Sequence, residues 1–230
     1  DGLTVPDPAS RFQPADVHGA SQWVLPPAPR APWHIRPWHE QVIYELHVGA
    51  FTEAGTFRAA IDRLDELAGL GITAIELMPI GEFPGRRNWG YDGVLPFAPD
   101  AAYGTPADLV ALVDAAHERG LAMLLDVVYN HFGPDGNFLH AYAPGFFDAS
   151  RSTPWGQAIA FDAPAARPVR DFFIENAVHW VRDYGFDGLR LDAVHAILDE
   201  SSPHLVREIA RRIGQAAGPG RTVFLLLENE

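Results

Sequence analysis

The residues best suited to chemistry lie in one short segment, Gly188 to His195, which reads Gly-Leu-Arg-Leu-Asp-Ala-Val-His. Its apolar alternation predicts a buried strand on which Arg190 and Asp192 point to one face while the two leucines point to the other. Charged side chains are costly to bury unless each is paired or used. The segment therefore predicts either an active site or an arginine–carboxylate bridge that ties two strands together.

From about residue 40 onward, apolar strand-like segments alternate with segments of helical period along the chain. Strands that are apolar on both faces and alternate with helices are typical of an α/β fold with a parallel sheet. The carboxyl ends of such strands meet at one edge, where ligands bind. Polar or aromatic side chains follow four of the predicted strands. The second strand is followed by a loop with Glu82, Trp89 and Tyr91, the third by Asn130 and His131, the fourth by Asp192 and His195, and the fifth by Glu228. Four such strand ends favour an active site over structural bridges.

Hydrophobic periodicity predicts the elements that position these residues. Thr105, Pro106 and Asp108 mark the start of a helix, since they supply an N-cap, a proline in the first turn and an acid at the third position. One continuous helix is predicted from Thr56 to Gly69, and the segments 79–103 and 130–167 have no helical period. The other predicted helices cover 168–184 and 202–213, and the predicted strands cover 42–48, 72–78, 121–129, 188 onward and 222–227.

The composition narrows the classes of function. A hydrophobic fraction of 47% suits a globular core, and a net charge of −13 argues against a nucleic-acid partner. No run of about 18 apolar residues is present, so we expect no membrane span. The chain has no cysteine, which excludes disulfides and suits a reducing cytoplasm. Metal-binding, phosphate-loop and serine-hydrolase motifs are missing from the sequence, so we expect neither a metal nor a cofactor.

The chain divides into two parts by composition. Residues 1–39 are rich in proline and lack a regular pattern, so they are predicted to be a linker and the tail of a preceding domain. Residues 40–230 carry all of the candidate site residues and are predicted to be the catalytic part.

The candidate residues combine carboxylates with aromatic side chains. Asp192 and Glu228 follow neighbouring predicted strands, and Asp126 lies on a third. A pair of carboxyl groups can cleave a sugar acetal, because one protonates the leaving oxygen and the other meets the oxocarbenium-like carbon. Aromatic rings suit the C–H face of a sugar. The sequence therefore predicts a glycoside-cleaving site.

Three segments resemble the first three conserved blocks of the α-amylase superfamily, in the same order: Asp126–His131, Gly188–His195 and the apolar strand that ends at Glu228. Four further segments resemble one family within it, the malto-oligosyltrehalose trehalohydrolases. These are Gly71–Pro79, Glu82–Gly93, Asn130–Asn137 and Leu225–Asn229. Pro6–Arg11 is similar to the end of the N-terminal β-sandwich domain in that family, which implies the same origin for the tail in residues 1–39.

The resemblance implies a retaining glycosidase site on a (β/α)8 barrel. Asp192 would be the nucleophile, and the nearby positive charge of Arg190 would adjust its ionisation. Glu228 would be the general acid and then the base, a role that calls for a raised pKa. By position alone Glu230 is a second candidate acid, although the family pattern favours Glu228.

The resemblance also implies the residues that bind substrate. Tyr91 would stack on the reacting sugar, with Trp89 on the same loop, while His131 and His195 would hydrogen-bond sugar hydroxyls. Arg190 would also be one of the residues that bind substrate. Asp126 would pair with Arg190 and, like Asn130, have a structural role in the site.

An eight-stranded barrel would need more strands than the five predicted here. We therefore expect three further strands, together with a third essential carboxylate, beyond Glu230. The partner of this chain would then be the remainder of its own barrel, and the isolated 230 residues should be inactive. An open sheet edge is otherwise an aggregation hazard.

The expected substrate is malto-oligosyltrehalose or a related α-glucan, cleaved at the α-1,4 bond next to the terminal trehalose unit. Two alternatives stay open. A branching or debranching enzyme of the same superfamily would share the carboxylates, and only the loops at 83–93 and 132–137 argue against it. A non-catalytic glucan-binding module would be expected to have lost one carboxylate, whereas both Asp192 and Glu228 are present.

Overall fold

The computed structural model describes residues 2–27 and 33–229. Within these residues five parallel strands form one sheet: β1 (Ile43–Leu46), β2 (Ala74–Leu77), β5 (Ala122–Val127), β8 (Gly188–Leu191) and β9 (Phe224–Leu227). They lie side by side in the order β1-β2-β5-β8-β9. The predicted α/β architecture with a parallel sheet is confirmed. Glu230 and part of the predicted linker, residues 1 and 28–32, lie outside the described residues.

Helices lie between these strands along the chain. They are α1 (Val48–Phe51), α2 (Phe57–Ile61), α3 (Leu64–Gly69), α4 (Pro106–Glu118), α5 (Leu139–Tyr142), α6 (Arg167–Arg182) and α7 (Leu205–Ala217). Outward strand residues such as Ile75, Leu125 and Leu189 join the helices in one large core, in which Trp180 of α6 is fully buried. In the described parts of the chain no helix is long and apolar enough to cross a membrane.

Helix α4 begins as its sequence predicts. The Thr105 side chain accepts a hydrogen bond from the Asp108 backbone amide, and the Asp108 carboxylate in turn accepts one from the Thr105 backbone amide. The helix predicted from Thr56 to Gly69 is instead divided into α2 and α3 by a turn at residues 62–63. The apolar spacing continues across this turn, so the periodicity does not reveal the division. Helix α7 begins at Leu205 and not at Ser202, because the His204 side chain caps it by accepting the Val206 amide hydrogen.

The two long segments without helical period contain antiparallel hairpins. The first hairpin pairs β3 (Gly81–Glu82) with β4 (Leu95–Pro99), and the second pairs β6 (Phe147–Thr153) with β7 (Gly156–Ile159). Both lie in the connections that leave the carboxyl ends of parallel strands. These connections therefore build structured walls above the edge of the sheet where the candidate residues gather.

Glu82 is part of the first hairpin and not of the candidate site. Its side chain is buried and accepts the Ala101 amide hydrogen at 2.9 Å. Burial, together with the nearby charge of Asp100, raises the pKa of Glu82 to about 9. Strand β2 ends at Leu77, five residues before Glu82, so Glu82 does not directly follow the end of a strand of the parallel sheet.

The buried Glu82 carboxyl predicts a loss of stability at alkaline pH. The native state keeps a proton with a pKa of about 9, whereas an exposed glutamate releases it near 4.5. Between these values the unfolded state binds fewer protons, so the free energy of unfolding falls as the pH rises, by up to about 1.4 kcal/mol per unit. Glu82→Gln, which retains an acceptor for Ala101, should flatten this slope.

Urea unfolding between pH 7 and 9 measures the effect, since Asp100, whose pKa burial raises to about 7, contributes mainly below that range. Glu118→Gln, at an exposed helical position, is the matched control and should keep the slope of the parent protein. The same slope in the Glu82 variant would contradict this assignment.

Candidate active site

The inner face of the sheet carries charged residues in neighbouring strands. Asp126 on β5 is in register with Arg190 on β8, and Glu45 on β1 is in register with Glu76 on β2. Side chains alternate along each strand, so these residues face away from the helices. The charged positions are thus set by the strand period alone.

The Arg190 guanidinium is the centre of the site. Its Nη1 lies 2.5 Å from Oδ2 of Asp126 and 3.3 Å from Oδ1 of Asp192, and its Nη2 lies 2.8 Å from Oε1 of Glu228. The three carboxylates come from the ends of three adjacent strands. Arg190 thus forms the inter-strand bridge of one sequence alternative and also contacts the two candidate catalytic groups of the other.

Asp126 lies deepest in the cluster. Its side chain is fully enclosed, and it accepts a 3.0 Å hydrogen bond from the Tyr91 hydroxyl besides the contact with Arg190. Burial raises the pKa of Asp126 to about 7, while the charge of Arg190 and the hydroxyl of Tyr91 act in the opposite direction. Asp126 therefore fixes the positions of a cation and an aromatic ring and does not face the open side.

Asp192 follows the last residue of β8 and is held from two sides. The side-chain nitrogen Nδ2 of Asn130 donates to Oδ2 of Asp192 at 3.1 Å and to the Asp192 backbone carbonyl oxygen at 3.2 Å, while Arg190 contacts Oδ1. The Asp192 amide donates to the Val127 carbonyl at 3.1 Å. A carboxylate with both oxygens oriented in this way can act as a nucleophile of fixed direction.

Glu228 lies half-exposed at the end of β9, next to Asp192. The Ala193 amide donates to its Oε2 at 2.8 Å, and Ala193 adopts a left-handed backbone with φ of 41°. The Ala193 hydrogen bond and the positive charge of Arg190 lower the pKa of Glu228. The expectation of a raised pKa is wrong for this structure, because the carboxylate is hydrogen-bonded in its charged form and open to water.

The histidines differ in their surroundings. His131 is buried, and its ring nitrogens face the Asn130 side-chain oxygen and, at 2.9 Å, the Tyr91 carbonyl oxygen. Burial lowers its pKa, and a neutral ring donates to only one of these two acceptors. His195 is exposed on the turn after Asp192, where its charge also acts on Glu228.

Trp89 is 75% exposed on the loop that carries Tyr91. A different tryptophan contacts a candidate site residue: Trp155, at the tip of the second hairpin, stacks on His131 with ring centroids 4.4 Å apart. Its own sequence signal is a tryptophan followed by glycine in a turn. The half-exposed Trp155 ring adds an aromatic surface beside the site.

Two further polar residues were missed. His47 follows β1, and its Nε2 lies 2.6 Å from the Asn88 carbonyl oxygen in the Tyr91 loop. The rule that chemistry follows strand ends would have found it if applied to β1. Glu76 is buried on the inner face, where burial and the charge of Glu45 raise its pKa; the alternation of β2 was the available signal.

The arrangement can support acid–base and nucleophilic chemistry on a polar substrate. Two carboxylates, Asp192 and Glu228, contact one guanidinium, and aromatic side chains flank them. Within residues 2–27 and 33–229 no group of three or more histidine, aspartate or glutamate side chains is arranged to hold a metal ion.

Curated relatives share this sequence over nearly its whole length. A malto-oligosyltrehalose trehalohydrolase from Deinococcus radiodurans is 47% identical across 100% of the chain, and one from Saccharolobus solfataricus is 47% identical across 91%. The chain spans 38% of the length of each of these relatives.

Solved structures agree in fold. A 1.4 Å crystal structure of a Salmonella typhimurium protein assigned as an alpha amylase superposes with a TM-score of 0.94 and 50% identity. It covers 100% of this chain, which in turn covers 39% of that protein. The family model for the alpha amylase catalytic domain matches residues 10–176, which include Tyr91, Asp126 and His131. The chain therefore belongs to the alpha-amylase catalytic domain family.

Proposed function

We propose that the protein carrying this chain hydrolyses the α-1,4-glucosidic bond next to the terminal trehalose unit of malto-oligosyltrehalose and releases trehalose. The observation that carries the proposal is the single guanidinium of Arg190 in contact with Asp126, Asp192 and Glu228. The names of the relatives that are 47% identical support the substrate.

The mechanism assigns one role to each carboxyl group. Asp192 attacks the anomeric carbon and forms a glycosyl ester, while Glu228 gives its proton to the glycosidic oxygen so that trehalose departs. Water then attacks the same carbon and gives a proton to Glu228, which releases the shortened malto-oligosaccharide and restores Asp192. Two substitutions at the same carbon retain its configuration.

The surrounding residues orient this exchange. We place Tyr91 beneath the reacting sugar, because its hydroxyl is fixed on Asp126. We place Trp89 and His195, both exposed, beside sugar units or hydroxyls, whereas His131 reaches substrate only by exchanging one of its present acceptors. Arg190 contacts Oδ1 of Asp192 and Asn130 donates to Oδ2, so the carboxylate is held in place.

The open edges of the sheet support a closed barrel as the working form. Val42 next to β1, Tyr44 within β1 and Leu227 in β9 are 52%, 40% and 50% exposed. Apolar residues at both edges are suited to further strands and helices of a (β/α)8 barrel. The proposal includes those strands, and the third carboxylate that the family pattern implies, as the partners of this chain.

Incubation of the parent protein with malto-oligosyltrehalose and with amylose tests the substrate. Release of trehalose from the first supports the proposal. New α-1,6 branches in amylose would instead identify a branching enzyme, and binding without turnover would identify a non-catalytic module.

Removal of either carboxylate should abolish turnover. Asp192→Asn and Glu228→Gln should each lower kcat by about three orders of magnitude or more with an unchanged circular dichroism spectrum, because each removes a chemical step. Glu230→Gln is the matched control, since Glu230 is the competing candidate acid by sequence. Loss of activity in that control with normal activity in the Glu228 variant would exchange the two assignments.

The hydrogen bond from Ala193 and the charge of Arg190, which lower the pKa of Glu228, predict a shift on substrate binding. A bound sugar that displaces water around this carboxyl should raise its pKa. The profile of kcat/KM reports the free enzyme and that of kcat the complex, so the alkaline limb of kcat should lie at the higher pH. Coincident limbs would contradict a substrate-induced rise.

A further inference from the structure

The N-terminal segment predicted to be a linker packs tightly against the site loops. We call residues 10–19 the N-terminal strap. Within it Val17 and Gln13 are fully buried, although the strap contains neither helix nor strand. The Gln13 side-chain amide donates to the carbonyl oxygens of Asp16 and Gly19, each at 3.2 Å, and so closes the strap into a compact turn.

The strap holds the loop that carries Tyr91. Oδ2 of Asp16 accepts the Gly85 amide hydrogen at 2.9 Å, and Oδ1 accepts that of Val17 at 2.6 Å. Asp16 has a φ of 71°, a left-handed backbone that aspartate tolerates better than most residues. Its charge raises the pKa of both Glu82 and Asp100, so the carboxylate is held near two buried acids by amide donors.

The strap also holds the loop that follows His131. Gly136 lies directly on Val17, since a Cβ at Gly136 would be 2.5 Å from the Val17 Cγ2 atom. Beside it, His18 Nε2 lies 3.1 Å from Oδ1 of Asp135. Val17 is clustered with Val94 and Leu95 as well, so one residue packs against both loops.

The two loops are joined to each other at the site. The Gly133 amide donates to the Gly93 carbonyl at 3.1 Å, and the His131 ring contacts the Tyr91 carbonyl. Gly133 approaches so closely that a Cβ there would lie 2.0 Å from the Asp92 carbonyl oxygen. The strap, the Tyr91 loop and the His131 loop therefore form one packed unit.

We infer that the N-terminal strap is a positioning element of the active site, with Asp16 as its main positioning residue. It fixes the two loops that place Tyr91 and His131 against the substrate, and this inference rests on the proposed function. Asp16 acts only through Gly85 and the loop behind it, and it does not touch the reacting atoms.

The experiment compares Asp16→Ala and Asp16→Asn in the parent protein, with Leu25→Ala as control. Leu25 lies in the same N-terminal segment and is 73% exposed. The alanine variant removes both acceptors, whereas asparagine keeps one oxygen and tolerates the left-handed backbone. Hydrogen exchange in peptides covering residues 83–93 and kinetics with malto-oligosyltrehalose are the two readouts.

Asp16→Ala should speed exchange in residues 83–93 while exchange in the strands of the sheet stays unchanged. It should also lower kcat/KM by about ten- to a hundredfold, as expected for a misplaced binding group. Asp16→Asn should recover most of both losses, and Leu25→Ala should match the parent protein.

Unchanged exchange in residues 83–93 of Asp16→Ala overturns the inference, whatever the activity. Faster exchange with an unchanged kcat/KM overturns the role in the site. If the parent protein releases no trehalose, the proposed function fails instead, and the exchange measurement still decides whether the strap holds the loop.

Discussion

The site depends on one partly buried cation shared by three strands. Arg190 contacts Asp126, Asp192 and Glu228 at once, and each of these carboxylates lies where its strand ends. Withdrawing a charge from water in this way is costly unless opposite charges and hydrogen bonds surround it. The planar guanidinium presents five N–H donors in a fixed geometry, whereas the ammonium of a lysine offers three on a flexible stem. Its contacts therefore set the relative positions of Asp192 and Glu228, the proposed nucleophile and acid.

The strand period made much of this centre predictable. Alternation alone placed Arg190 and Asp192 on one face, and the pairing of Asp126 with Arg190 follows from the parallel register of β5 and β8. The capping box at Thr105 was predictable because its signal is contained in four consecutive residues. Features carried by local periodicity and local hydrogen bonds were thus open to sequence reasoning.

The walls of the site were not predictable in the same way. The hairpins β3–β4 and β6–β7 are held by packing between distant segments, so no period marks them. The stacking of Trp155 on His131 likewise joins residues whose proximity only the folded chain reveals. The pKa of Glu228 depends on the left-handed backbone of Ala193, and an alanine in that conformation leaves no signal in the sequence.

The contact between Asp16 and Gly85 joins residues 69 positions apart and crosses the boundary that the proline content suggests near residue 39. A protein trimmed at that boundary would keep the described strands and both candidate carboxylates but lose the acceptor of the Gly85 amide. Such a truncation would leave the loop that carries Tyr91 without this anchor. Anyone who isolates or transplants the sheet and its loops should therefore keep the N-terminal strap with them.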